Sequence, residues 1–355
     1  MNSSEQSINV TNPANPSPLV SIIMPTYKRQ EYFKLALESA IKQSYTNLEI
    51  LVGDNENSAQ TAAIVTDLSD SRVQYLGRAD NLGMVMNNLS MFRQARGKYF
   101  VNLHDDDLLH PDFVAKMVQI LEQDDSISIA FSDYFVIDSK GEIDLPLTER
   151  TMQDHKRDVV SAGKHQPAFR VALLDRAVPT TLCGLMRRSV MNFDYFPLEV
   201  GNVYDLWLAY LAVVAGHGVH YCRERLAYRR VHADADSSWS FIKLNQNAAF
   251  CYKHFLTDAR LHSLFPEFQR QVGTCQTRLG TMLLEQGEAV KARPYLLDGF
   301  RHKPGPRALI GLLISWLPGG QTSGLVHRIQ QALAWTRRWR QPNEQQPKPQ
   351  QLQEH

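Results

Sequence analysis

Residues 19–140 predict an α/β fold with a parallel, doubly wound sheet, followed by a helical C-terminal extension. Three observations carry this expectation. Short apolar runs rich in β-branched residues alternate with stretches of helical period. The connections between them are short, as in strand–helix–strand units. Several of the runs end on polar or acidic residues, at the strand ends where open α/β sheets bind ligands.

The elements follow in order. Residues 19–24 (LVSIIM) read as a buried strand. Pro25 ends it, and Thr26, Tyr27, Lys28 and Arg29 form a polar loop. In 31–43, Phe33, Leu37, Ala40 and Ile41 share one helical face. Residues 48–52 (LEILV) are a second strand, stopped by Gly53, Asp54 and Asn55. Ser58 caps a helix running to about Leu68. A third strand covers 73–76, and 81–95 is a helix with Leu82, Val85, Leu89 and Phe92 on one face. Residues 99–103 form a strand that turns abruptly into His104, Asp105, Asp106 and Asp107. A helix at 111–122 and a strand at 128–137 follow. Right-handed crossovers place the carboxyl ends of parallel strands on one edge. Thr26 and Tyr27, Asp54 and the acidic run 104–107 should therefore converge.

From 142 to 179 the pattern loosens. Residues 165–177 read as a helix and 181–186 as a strand, with Arg187 and Arg188 as surface charges at its end. Residues 205–214 (DLWLAYLAVV) are a strongly apolar helix, with Asp205 where the dipole favours a carboxylate. Short strands are expected at 218–222 and 226–228, before Arg229, Arg230, Val231, His232 and a polar loop at 233–238. Beyond 239 the chain is helical, at 240–255, 265–286 and 289–302. Residues 325–340 set Leu325, Ile329, Leu333 and Trp335 beside Arg328, Arg337, Arg338 and Arg340. That is a basic amphipathic helix suited to an anionic membrane surface. Packing on the domain, with the basic face in water, is an equal alternative. Residues 1–18 and 341–355 read as disordered tails.

Composition narrows the function. The formal net charge of +1 on 355 residues argues against a nucleic-acid partner. Cys183, Cys222, Cys251 and Cys275 lack the paired spacing of a zinc site or disulfide scaffold and suit a reducing compartment. The N-terminus lacks the basic start and apolar run of a signal peptide. The longest apolar run, 308–317, falls short of the roughly 20 residues that span a bilayer. A cytoplasmic protein is expected. No Gly-x-Gly-x-x-Gly follows the first strand and no P-loop occurs, which disfavours dinucleotide and P-loop chemistry. Three adjacent carboxylates repel one another and need a cation, donors or open water. A solvated turn capping the next helix is the competing reading. Carboxylates without a phosphate-cradling loop need a divalent cation to hold a diphosphate.

With these residues in view, the chain resembles the inverting family 2 nucleotide-sugar glycosyltransferases. The resemblance rests on VSIIMPTYKR, LESAIKQSYTNLEILVGDN, NLGMVMNNLSMFRQARGKYFVNLHDDDLLHPDF, DLWL and YRRVH, in that order. It implies a GT-A fold, with a mixed, mainly parallel sheet flanked by helices. It divides the chain into a transferase domain at 19–238 (nucleotide part 19–140, acceptor part 141–238) and a helical region at 239–340. It implies nucleotide contacts from Pro25, Thr26, Tyr27, Arg29, Asp54, Asn81 and Asp105, with Asp54 on the base. The family's Asp-x-Asp element falls on His104-Asp105-Asp106. Asp106 is then the main ligand of Mn²⁺ or Mg²⁺, joined by His104 and His232, and Arg230 closes over the diphosphate. His104 departs from the family pattern. So does Asn202-Val203, where an acidic pair often supplies the catalytic base; Asp205 is the best candidate left.

The resulting expectation is a metal-dependent inverting transferase. It moves a sugar from a nucleotide-sugar, a UDP-sugar ahead of dTDP and GDP donors, to a glycan or lipid-linked hydroxyl in envelope or exopolysaccharide synthesis. Peripheral contact with the inner membrane face falls to 325–340. Two rivals remain: a catalytically degenerate scaffold that binds nucleotide or glycan, and a sugar-nucleotide nucleotidyltransferase. The latter needs a Gly-rich basic run after strand one, which PTYKRQEY lacks.

Overall fold

The computed structural model describes residues 17–232 and 241–317. Its first half runs β1 (Val20–Thr26), α1 (Gln30–Ile41), β2 (Leu48–Asp54), α2 (Ala59–Leu68), β3 (Val73–Gly77), α3 (Gly83–Gln94), β4 (Tyr99–Asn102), β5 (Leu108–Leu109), α4 (Phe113–Gln123) and β6 (Ile127–Ile137). There follow α5 (Leu145–Asp154), β7 (Gly163–His165), a π-helical turn at Arg170–Leu174, β8 (Gly184–Arg187), a 3-10 segment at Leu198–Val203, α6 (Tyr204–Val213) and β9 (Gly218–Arg230). The remaining helices are α7 (Phe241–Phe255), α8 (Phe265–Glu285), α9 (Ala289–His302) and α10 (Pro306–Ile314).

The strands form one sheet in the order β3-β2-β1-β4-β8-β6-β9-β5, with β7 also on β9. β1 to β4 make a parallel block. β8 lies antiparallel between β4 and β6, and β9 runs parallel to β6. The apolar runs are strands because both faces are covered, so Ile22, Ile50, Val101 and their neighbours need no polar alternation. Phe33 and Leu37 of α1 and Phe113 and Met117 of α4 pack into the same core. Each such fully buried side chain stabilises by about 1.5–3 kcal/mol. Gly53 is required at the end of β2: a Cβ there would stand 2.6 Å from Met91 Sδ and 2.7 Å from Asn87 Oδ1.

Several boundaries differ from expectation. β1 continues through Pro25, which pairs with Gly53, to Thr26 opposite Asp54; a missing N–H removes one ladder bond without ending the register. The helix expected over 165–177 is only a five-residue π turn. Pro167 disfavours helical geometry at the residue before it, and the start of that stretch belongs to β7. The two short strands at 218–228 are one continuous β9, whose register shifts on β6 obscure the alternation. Arg187 is not a surface charge. It is buried, donating to Leu121 O at 2.7 Å and Ile127 O at 3.1 Å, so it satisfies carbonyls around the end of α4. The 325–340 helix and the tail beyond it lie outside the described residues, as do 1–16 and 233–240.

The chain divides into two compact units. Among the described residues, one holds 17–232 together with Asp258–Leu264; the other holds 241–257 and 265–317. In the second unit Leu284, Ala292, Leu296 and Ile314 form a small core. Gly280 and Gly311 let their helices close on Leu296, where a Cβ would lie 2.5 and 2.8 Å from its side chain.

Candidate active site

The parallel block delivers its polar ends to one edge. Thr26 and Asp54 face each other in register. Leu103 N donates to Ile23 O at 2.9 Å, so the chain leaving β4 enters the acidic turn beside β1. Tyr27 N then donates to Asp105 Oδ2 at 3.3 Å. The side chain of Arg29 spans the turn, with Nη1 3.2 Å from Asp105 Oδ1 and 3.0 Å from Asp106 Oδ2. His232, at the end of β9, brings Nε2 to 3.2 Å from Asp106 Oδ2. Tyr32 of α1 supports this corner: its ring lies 4.7 Å from the His232 ring and 4.9 Å from the Arg230 guanidinium. Sequence spacing gave no sign of Tyr32, because the contact depends on how β9 returns to α1.

The three carboxylates are all buried. Burial pushes Asp105 up to about 7, helped by the Asp106 charge and opposed by Arg29. Asp107 is pushed well above the usual carboxylate range, again by burial first and then by Asp106, with the Arg230 N–H opposing. Burial and mutual repulsion therefore outweigh the donors that the described residues give Asp105 and Asp107. His104, Asp106 and Asp107 each present a ligand atom, all within 4.8 Å of one another. Nδ1 of His232 is buried with no partner among the described residues. Two carboxylates suit a magnesium-like or manganese-like cation and one or two imidazoles favour the latter, so these residues fit a divalent metal.

Other expected residues are engaged by the chain itself. Asp54 is fully buried and accepts from Glu56 N at 2.9 Å, Ser58 N at 2.8 Å and Tyr75 Oη at 2.8 Å. It shapes the loop that starts α2. Its neighbour Asn55 instead takes Leu82 N at 3.3 Å. Asn81 Oδ1 accepts Gly83 N at 2.8 Å at the start of α3. Arg230 donates N to Asp107 Oδ1 at 2.8 Å, Nε to Asp106 O at 3.0 Å and Nη1 to Asp138 O at 3.0 Å, clamping the acidic turn from behind. Pro25 lies within β1, and Tyr27 is the exposed ring at its exit.

Asp205 sits in the first turn of α6, one residue after Tyr204, whose hydroxyl lies 2.7 Å from His104 Nε2. Arg176 donates to Asp205 Oδ2 at 2.6 Å. The other oxygen, Oδ1, is buried without a partner among the described residues. Before α6 the backbone turns sharply at Gly201, at φ 47° and ψ −127°, a conformation that favours glycine. Val203 is buried, and Asn202 Oδ1 is likewise an unpartnered buried acceptor.

Residues 21–192 match the sequence profile described as Glycosyl transferase family 2. An uncharacterized glycosyltransferase of Rickettsia typhi is 28% identical over 233 residues, which cover 65% of this chain and 68% of that protein. An Escherichia coli protein named UDP-Glc:alpha-D-GlcNAc-diphosphoundecaprenol beta-1,3-glucosyltransferase is 25% identical over 54% of this chain and 70% of its own. Among solved structures, Staphylococcus aureus TarS 1-349 in complex with UDP-GlcNAc aligns with a TM-score of 0.60 at 13% identity, covering 83% of this chain and 90% of that one. A Pyrobaculum calidifontis mannosyltransferase in complex with GDP-Man and Mn²⁺ aligns with a TM-score of 0.50 at 15% identity, covering 84% and 88%. At these identities the structural matches speak to the fold.

Proposed function

Residues 21–192 form a glycosyl transferase family 2 domain, and from that premise we propose a metal-dependent inverting transferase that uses a nucleotide-sugar, most simply a UDP-sugar. The single observation that carries the proposal is the His104, Asp106 and Asp107 cluster. It lies on the same edge as the β1 and β2 exits, where a nucleotide diphosphate would lie. The TarS and mannosyltransferase structures, with UDP-GlcNAc in one and GDP-Man with Mn²⁺ in the other, support a donor of this class.

In this reading Thr26, Tyr27 and the loop after β2 line the nucleoside, with Asp54 as the frame of that loop and Asn55 beside it. Asp106, His104 and His232 would hold a divalent cation, with Asp107 in reach. When bound, that ion supplies Lewis-acid neutralisation of the leaving diphosphate. Arg29 bridges the carboxylates without the donor and can turn to phosphate oxygens with it. Arg230 keeps the turn in place for closure. Asp205 takes the proton of the acceptor hydroxyl as that oxygen attacks the anomeric carbon from the face opposite the diphosphate. Its Oδ1, without a partner among the described residues, is the atom suited to that bond. One displacement inverts the anomeric centre, so no second nucleophilic carboxylate is needed.

The acceptor is a glycan or lipid-linked hydroxyl in envelope or exopolysaccharide synthesis, as the Escherichia coli relative's name suggests. No helix among the described residues is long and apolar enough to cross a membrane. Contact with the inner face is assigned to 325–340. Leu309 and Leu313 are exposed on α10 and Trp316 just beyond its end, and residues 299–343 carry seven arginines and lysines and no acid. A nucleotide-binding scaffold is the second reading, favoured by Asn202 and Val203 where a base often stands. Nucleotide release from UDP- and GDP-sugars with Mn²⁺ and an envelope-lipid extract separates the two. Turnover lost in Asp106→Ala supports the transferase; tight nucleotide binding without turnover supports the scaffold.

A further inference from the structure

His104, the residue that departs from the family pattern, is held from behind. Its Nε2 lies 2.7 Å from Tyr204 Oη, and Asn102 Nδ2 donates to the same hydroxyl at 3.0 Å. Asn102 and Tyr204 are both buried. Asn102 Oδ1 is buried too, with no partner among the described residues. A phenol has one proton to give. In this arrangement the amide donates to Tyr204, Tyr204 donates to His104 Nε2, and the neutral ring carries its proton on Nδ1. The same side chains also support the opposite polarity. If the amide turns over, Oδ1 accepts the Tyr204 proton, Tyr204 Oη accepts Nε2–H, and Nδ1 presents a lone pair. The ring stays neutral throughout: one proton leaves Nδ1 and one arrives at Nε2. An amide is suited to this place because it offers a donor at one end and an acceptor at the other.

We propose that Asn102 and Tyr204 are positioning residues that set the tautomer of His104, making it a nitrogen ligand, so that the site selects manganese-like cations over magnesium. The inference rests on the divalent-cation reading above. Imidazole ligation is typical of later transition ions, whereas magnesium is held by carboxylate and water. A ligating histidine is oriented by the partner of its other nitrogen, and loss of that partner costs roughly 10–100-fold in metal affinity.

The test is direct cation binding to the full chain, with no sugar present. Mn²⁺ affinity is read by electron paramagnetic resonance and Mg²⁺ by competition. Wild type is expected to prefer Mn²⁺ by at least about tenfold. Tyr204→Phe should lose about 10–100-fold in Mn²⁺ affinity, with a smaller loss for Mg²⁺. His104→Asp should bring the two affinities together while leaving the protein folded by circular dichroism. Asn102→Asp, which only accepts when ionised, should hold the metal-ready polarity and retain the preference. In ¹⁵N spectra, Zn²⁺ should move the protonated nitrogen of His104 from Nδ1 to Nε2. A folded His104→Asp or Tyr204→Phe protein with the wild-type Mn²⁺/Mg²⁺ ratio would overturn the inference alone. Wild type that binds neither ion would overturn the cation reading beneath it.

Discussion

Asp54 and the Asp105–Asp107 turn follow β2 and β4, the parallel strands that flank β1, on one edge of the sheet, yet they have opposite electrostatic settings. Asp54 is saturated: two backbone N–H groups and a tyrosine hydroxyl occupy its oxygens. The acidic turn is starved. Among the described residues, three carboxylates share Arg29, His232, the Thr26 hydroxyl and the backbone N–H groups of Tyr27 and Arg230, and two of them are pushed up by burial. A saturated carboxylate shapes a loop. A cluster short of donors among the described residues suits the cation proposed above.

The largest effect should come from the starved side. Asp106→Asn is expected to lower turnover by roughly 10³-fold, as when a key transition-state stabiliser is removed, without lowering the melting temperature in chelator. A nucleotide-release assay paired with a thermal melt checks both. Asp205→Asn should cost about 10²-fold, the low end of general-base contributions, because Arg176 still holds the α6 end; donor affinity by calorimetry should stay unchanged. On the saturated side the sign of the comparison reverses. Asp54→Ala leaves three donors without their acceptor and should cost about 3 kcal/mol in denaturant unfolding, with only a secondary loss of turnover. If Asp54→Ala spared stability and Asp106→Asn collapsed it, the contrast would be inverted.

The smallest effect concerns His155, outside both groups. Burial, and then the nearby charges of Arg157 and Arg176, push it down to about 4. The folded protein therefore keeps it neutral, while the unfolded chain takes up a proton near pH 6.5. Its contribution is present above about pH 6.5 and is lost as pH falls toward 4. His155→Gln should flatten that part of the pH–stability curve, and unfolding titrations from pH 7 to 4 would read the change.

Much of this arrangement was legible in the sequence. Short apolar runs ending on Thr26, Asp54 and His104 located the parallel block and its carboxyl edge, because burial on both faces leaves a continuous apolar signature. Boundaries failed where tertiary contacts override local pattern, as at Pro25, the 165–177 stretch and β9. Partner sets were the hardest part. That Asp54 is filled by Tyr75, that Arg187 is buried beneath α4, and that Tyr32 and Tyr204 flank the acidic turn all depend on residues distant in sequence. A buried arginine and a surface arginine look the same in a string of letters.

One measurement tests the cation-dependent site most directly: UDP affinity of wild type and Asp106→Asn by calorimetry, with Mn²⁺ and with chelator. Mn²⁺ should tighten UDP binding to wild type by at least about tenfold, or about 1.4 kcal/mol, and should do nothing for Asp106→Asn. Equal wild-type affinity with Mn²⁺ and with chelator would contradict a cation-dependent diphosphate site at the acidic turn.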